Sequence, residues 1–334
     1  MKLLKWRYSL FLMPVVLWLP AENAQALTCQ LDSFSSPNLG TITLANINSA
    51  SIDQSLTYSC TNTSDVTESA SICIGAHGTN DTSQINPRYM TEPNNSKLNF
   101  NMTFKDKNGS DAIWGSRNIA GGTEFIDFMS VGPGAKETKM TTIKVSLLPN
   151  NNSATASNYA ADFTGINTAF MFMTVDSNID TQQCSTAVQE ATPFTFTVQA
   201  TVVNACKINT TSNVSLGSRP ASTTSFTDSN NRAIDVTCTN GAPYTVGLMP
   251  SNNNANGAGV MTGSNAEKVP YQLRSKAGSA GTIWGNTATS TDVGNGLAGT
   301  GSGAAQSQTV YVTVPSADFK PDTYSDTVTV HVNY

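Results

Sequence analysis

Few side chains in this 334-residue chain are suited to chemistry. The two histidines, His77 and His331, stand far apart and read as ordinary strand or loop residues, so imidazole ligation would have to come from one at a time. The six cysteines, Cys29, Cys60, Cys73, Cys184, Cys206 and Cys238, contain no CxxC pair, the spacing typical of structural zinc sites. The hydrolase nucleophile turn GxSxG does not occur. Carboxylates pair by chance among so many acids. Asp162 and Asp326 are read as matched between the copies of an internal repeat, which favours a turn or strand-edge role over catalysis. What remains is oxidative: an even number of cysteines in an exported chain favours disulfides, with no metal and no cofactor.

Export is read from residues 1–26. Lys2, Lys5 and Arg7 precede a short apolar run, Tyr8 to Leu19, and Ala24-Gln25-Ala26 supplies a small-x-small cleavage site. The run is shorter than the ~20 residues a membrane-spanning helix needs. Removing Lys2, Lys5, Arg7 and Glu22 from the 18 basic and 23 acidic residues leaves 15 and 22, a net charge of −7. That charge argues against nucleic acid as a partner. The remaining length suits two ordinary domains, each with its own core.

The elements that would carry any site are strands, and they repeat. LTYSCTN (56–62) answers IDVTCTN (234–240), and SICIGA (71–76) answers YTVGLM (244–249). RYM (88–90) lines up with GVM (259–261), LNFNM (98–102) with VPYQL (269–273), and AIWG (112–115) with TIWG (282–285). TTIKVSLLP (141–149) matches QTVYVTVP (308–315), and NYAADFT (158–164) matches TYSDTVT (323–329). The constant order predicts two copies of one fold. Short runs alternating apolar and polar, as in Val328-Thr329-Val330-His331-Val332, predict an all-β chain of two tandem immunoglobulin-like β-sandwiches. The expected domains are 27–190 and 191–334. Cys29 and Cys60 stand 31 residues apart, and Cys206 and Cys238 stand 32 apart, so these are expected as homologous bridges. Cys73 and Cys184 are left to clamp the first domain. Trp114 and Trp284 occupy equivalent places, which favours a packing role for both.

The second copy stops at its last matched strand, with Val328, Val330, Val332 and Tyr334 on one face. An immunoglobulin-like sandwich needs one more strand there, and an uncovered apolar edge invites a partner to supply it. The first copy continues into TPFTFTVQATVVNAC (192–206), so its covering strand can come from its own sequence. Ahead of Cys29 only Leu27 and Thr28 would remain after cleavage. The expectation is a subunit that accepts a strand and cannot donate one, which belongs at the end of a fibre.

The paired IWG motifs, Arg88-Tyr89-Met90, the entry TVVNAC (201–206) and the terminal TYSDTVTVHVNY (323–334) resemble the spore coat protein U domain family. That family supplies subunits of archaic, Csu-type chaperone–usher pili, and two such domains behind a signal peptide are similar to the tip adhesins of those pili. The resemblance implies a periplasmic pilus chaperone, an outer-membrane usher, an adjacent pilin donating a strand, and passage through the periplasm to the pilus tip. It also implies attachment and biofilm formation, on an abiotic hydrophobic surface or a host surface.

For the gripping residues, the loops after the two tryptophans differ. The second copy is glycine-rich (291–305), whereas the first carries Phe125, Ile126, Phe128 and Met129 between Gly121-Gly122 and Gly132-Pro133. Apolar residues bracketed by turn formers predict an exposed finger, the alternative being a short added strand with Phe125 buried. Weaker candidates are Phe34 to Pro37 and Ile85 to Met90. Rival readings are a glycan-binding pilus adhesin and a structural pilin or coat protein.

Overall fold

The computed structural model of the protein describes residues 26–79, 84–116, 119–164, 169–175 and 192–334. The expected signal segment and Cys184 lie outside them, apart from Ala26. Every regular element among the described residues is a strand. The first domain contains β1 (Leu27–Phe34), β2 (Asn38–Ile42), β3 (Ser51–Asn62), β4 (Glu68–Ala76), β5 (Arg88–Thr91), β6 (Lys97–Lys105) and β7 (Asp111–Ile113). It continues with β8 (Phe125–Val131), β9 (Lys136–Leu147), β10 (Ser157–Phe163), β11 (Ala169–Val175), β12 (Thr192–Phe194) and β13 (Phe196–Val202). One sheet runs β1-β3-β9-β6-β5-β10-β13-β2 with β7 beside β6, and the facing sheet runs β12-β11-β4-β8.

The second domain contains β14 (Cys206–Thr211), β15 (Phe226–Cys238), β16 (Pro243–Pro250), β17 (Ala258–Thr262), β18 (Lys268–Arg274), β19 (Leu297–Thr300), β20 (Ala305–Val314) and β21 (Val328–Asn333). Its sheets are β14-β15-β20-β18-β17 and β19-β16-β21. Alternation along each strand builds the cores. In β6, Leu98, Phe100, Met102 and Phe104 are buried while their neighbours point outward. Each such side chain withdrawn from water contributes about 1.5–3 kcal/mol.

The repeat holds in three dimensions. Trp114 and Trp284 are both fully buried, and their indole N–H groups donate to the carbonyls of Ile74 (2.9 Å) and Val246 (2.8 Å). Cys29 faces Cys60 across β1–β3 and Cys206 faces Cys238 across β14–β15, each pair joined by a disulfide. Cys73 is disulfide-bonded as well. Tyr159 and Tyr324 each donate from the phenol to the carbonyl four residues back, Thr155 and Lys320, forming a tyrosine corner in both copies.

Geometry corrects the repeat in two places. The Ala76 N–H binds the carbonyl of Gly115, and the Leu248 N–H binds that of Gly285. Gly75 therefore corresponds to Gly247, one residue away from the pairing of SICIGA with YTVGLM. Ala160 bridges Thr91, and Ser325 bridges Thr262. Asp326 thus corresponds to Ala161 rather than to Asp162, because aspartates one step apart along a strand face opposite sides.

The expected boundary at 190/191 also shifts. Thr192–Phe194 pairs with β11, and Phe196–Val202 pairs with β10 in antiparallel register and with β2 in parallel. Both strands belong to the first domain by pairing. Only Val203, Asn204 and Ala205 separate β13 from β14.

Candidate strand-binding groove and surface face

The first domain is closed by β12 and β13. Phe196, Val198, Ala200 and Val202 are all buried. Phe196 stacks on Phe163 (4.3 Å between centroids) and on Trp114 (5.9 Å), and meets Phe34 edge-on (4.8 Å). On the outer side, Thr197 and Thr201 donate to Asp162 (2.8 Å) and Asn158 (2.8 Å), stitching β13 to β10. Beneath this cover Tyr159, Ala161 and Phe163 are buried, at 1%, 1% and 0% exposure.

The matching positions of the second domain are Tyr324, Asp326 and Val328, and all three are half-buried. Val330 and Val332 on β21 are half-buried too, although their side chains pack on the second core. Among the described residues β21 pairs with β16 alone, and no strand occupies the place that β12 and β13 take in the first domain. The opposite lip is legible from a further repeat that the sequence reading missed. Gly40 and Gly217 lie the same distance beyond Cys29 and Cys206, and both adopt the left-handed backbone (φ 70° and 63°). Leu39 in β2 thus corresponds to Leu216. In the first domain β2 is a strand because β13 lies beside it, whereas residues 213–218, with no such neighbour, form no strand. Val214, Leu216 and Phe226 line this side as partly buried residues packed on the core.

Of the groove residues expected from sequence, Val328, Val330 and Val332 lie on β21, half-buried and packed on the second core. Tyr334 lies beyond the end of β21 and is 52% exposed. Tyr324 and Asp326 were missed. Asp326 points inward, where its carboxylate accepts from the Tyr271 hydroxyl (2.6 Å) and from the Thr327 N–H (2.8 Å). Burial, and then the adjacent Asp326, push the Tyr271 phenol above its ordinary range.

Residues 192–331 match the Spore Coat Protein U domain. The match begins at Thr192 and so takes in β12 and β13, the strands that pair with the first domain. No functionally curated protein matches the chain. Among solved structures, one similar to it is the chaperone–tip adhesion subunit pre-assembly complex of archaic Csu pili from Acinetobacter baumannii. Identity there is 15%, over 92% of this chain and 100% of that one, with a TM-score of 0.46. The CupB6 tip adhesin from Pseudomonas aeruginosa gives 9%, 92%, 95% and 0.38. The adhesive subunit of CFA/I fimbria of enterotoxigenic Escherichia coli gives 10%, 91%, 93% and 0.33.

The expected finger is an edge strand. β8 pairs with β4 from Glu68↔Val131 to Ile74↔Phe125, so its side chains alternate between faces. Met129 is buried in the core, and Phe125 packs edge-on against Tyr58 (5.9 Å) and Phe104 (5.6 Å). Asp127 tethers the strand by accepting from the Tyr58 hydroxyl (2.7 Å) and the Lys139 ammonium (3.0 Å). Burial and this carboxylate push the Tyr58 phenol upward as well. Of the four candidates only Ile126, 37% exposed, and the half-buried Phe128 are left on the outward face. β8 runs to the turn at 132–135, where the neighbouring turn carries Val66, 55% exposed. Val66, a single apolar residue in a polar turn, leaves no pattern by which sequence reasoning could have found it. Phe34, from a weaker candidate loop, packs on Trp114 and Phe196. Arg88, from another, is fully buried, and its guanidinium donates to the carbonyls of Ala76 (3.0 Å) and His77 (3.0 Å). No group of three or more His, Cys, Asp or Glu residues suited to a metal ion occurs among the described residues.

Proposed function

We propose that this chain is the tip adhesin of a pilus built by the chaperone–usher pathway. Its Spore Coat Protein U domain takes a strand first from a periplasmic chaperone and then, at the outer-membrane usher, from the adjacent pilin. Its first domain, already closed, meets the surface. The observation that carries this reading is the contrast at matched positions: Tyr159, Ala161 and Phe163 are buried under β13, while Tyr324, Asp326 and Val328 are only half-buried. An uncovered apolar strand edge is costly in water and is satisfied by strand addition.

Attachment is assigned to the outward side chains of β8, Ile126 and Phe128, with Val66 at the adjoining turn. Each exposed apolar side chain contributes at most about 1.5–3 kcal/mol when fully removed from water, so one tip binds weakly and many pili on a cell act together. The test uses two variants in piliated cells. Val330→Asp, in the groove, is expected to abolish recovery of the chain with its chaperone and its incorporation into pili. Ile126→Ser with Phe128→Ser is expected to leave pili intact and to reduce attachment to hydrophobic plastic and the resulting biofilm. Normal piliation with Val330→Asp overturns the groove, and unchanged attachment of the double variant overturns the gripping face.

A further inference from the structure

The groove of the second domain differs chemically from the filled one in the first. Where the first domain has Phe100 and Ala161, the second has Tyr271 and Asp326, joined by a 2.6 Å hydrogen bond. Ala161 lies opposite Val198 in the β10–β13 register, and both are buried on the inner face. By the repeat, a strand entering the second groove places one inward side chain directly beside Asp326. Among the described residues two hydrogen bonds reach that carboxylate, from Tyr271 and Thr327, and Asp326 is only half-buried, which leaves its remaining lone-pair positions to water. A strand that covers them with an apolar side chain strips their water and returns nothing. Asp326 and Tyr271 are larger than Ala161 and Phe100, so the second groove leaves less room for an inward side chain than the first.

We propose that the Tyr271–Asp326 pair selects the donor strand, requiring a short hydroxyl side chain, Ser or Thr, at the position where β13 carries Val198. This inference rests on the groove being a strand acceptor. It makes the built-in strand a poor match for the second groove, although both domains share one fold. The pair thus discriminates by rejecting an isostere, Val against Thr, which differ by one hydroxyl.

The test uses the full chain with a second copy of residues 192–203 appended after Tyr334. Phe194 pairs with Ala169, whose counterpart in β21 is Val330, and Thr192 pairs with Met171, whose counterpart is Val332. The appended strand therefore starts close to the chain end, and a linker of about 4–6 residues lets it fold back antiparallel to β21. Four chains are compared by equilibrium unfolding of the second domain. The appended copy carries either Val or Thr at the Val198 position, in the native background and with Asp326→Ala. Thr is expected to exceed Val by about tenfold in folding constant in the native background, the scale of one hydrogen bond to a charged group. With Asp326→Ala the order is expected to reverse. If that variant does not fold, Asp326→Asn, which keeps the shape and removes the charge, is expected to shrink the preference for Thr several-fold. The same ranking and size in both backgrounds overturns the selection. If no appended strand stabilises the second domain in either background, the groove itself is refuted.

Discussion

Phe196→Ala tests whether the segment that closes the first domain is truly part of its core. Phe196 is 4% exposed, stacked on Phe163 and Trp114 and edge-on to Phe34. Truncating a buried phenylalanine costs about 3–5 kcal/mol, the lost transfer energy plus the cavity left behind. For a domain of this size each kcal/mol lowers the melting midpoint by about 2–4 °C, so the first-domain transition is expected to fall by about 6–20 °C. Differential scanning calorimetry of the full chain reads this against Thr201→Ala on the outward face of the same strand. Thr201 offers only an exposed hydroxyl bond to Asn158, and its loss is expected to stay within about 0.5 kcal/mol. Equal losses from the two variants, or an unmoved first-domain transition with Phe196→Ala, would show that β13 is not seated there. The segment would then be free to serve as an arm for a neighbour, and the assignment of the chain to a fibre end would fail.

Two other outcomes follow from the matched features. Trp114→Phe and Trp284→Phe each leave a buried carbonyl, that of Ile74 or Val246, without its donor, and each is expected to cost about 1–3 kcal/mol in denaturant unfolding, with surface attachment per folded molecule unchanged. Tyr58 and Tyr271 have phenols raised above the ordinary value of 10.0 by burial and a neighbouring carboxylate, so the folded state holds these protons more tightly than the unfolded chain. Their contribution is complete below about pH 10 and is lost as pH rises beyond it. In an absorbance titration, the Tyr58→Phe and Tyr271→Phe variants are expected to lack only a late step coincident with alkaline unfolding.

The two-copy organisation, the strand character, the two homologous disulfides and the structural tryptophans were all legible in the sequence, because each leaves a residue-type mark at a fixed spacing. Side-chain direction was not. Phe125 to Val131 alternates as an edge strand does, but its flanking glycines and proline equally suit a protruding loop, and only the ladder to β4 decides that Phe125 and Met129 turn inward. The pairing of Asp162 with Asp326 failed for a related reason: a one-residue slip in a strand exchanges its two faces. The affiliation of 192–202 was half legible: the segment could be read as a covering strand for the first domain, but the boundary fell ahead of it because strand propensity says nothing about which sheet a strand joins. The companion repeat, Leu39-Gly40 with Leu216-Gly217, could have located the second lip of the groove, had the distance from each cysteine been compared.

The short connection between the domains has a mechanical consequence. Ala205 donates to the Thr239 hydroxyl, which donates to the Val203 carbonyl, and the Asn240 amide donates to the Ser153 carbonyl, so the joint is tied down on both sides. Tension arriving from the second domain enters the first at Val203, along the axis of β13. That strand is flanked by β10 on one side and β2 on the other, and the load runs parallel to both. Its hydrogen bonds are therefore stretched together in shear instead of being peeled one by one, so a pull across the joint loads the whole ladder at once.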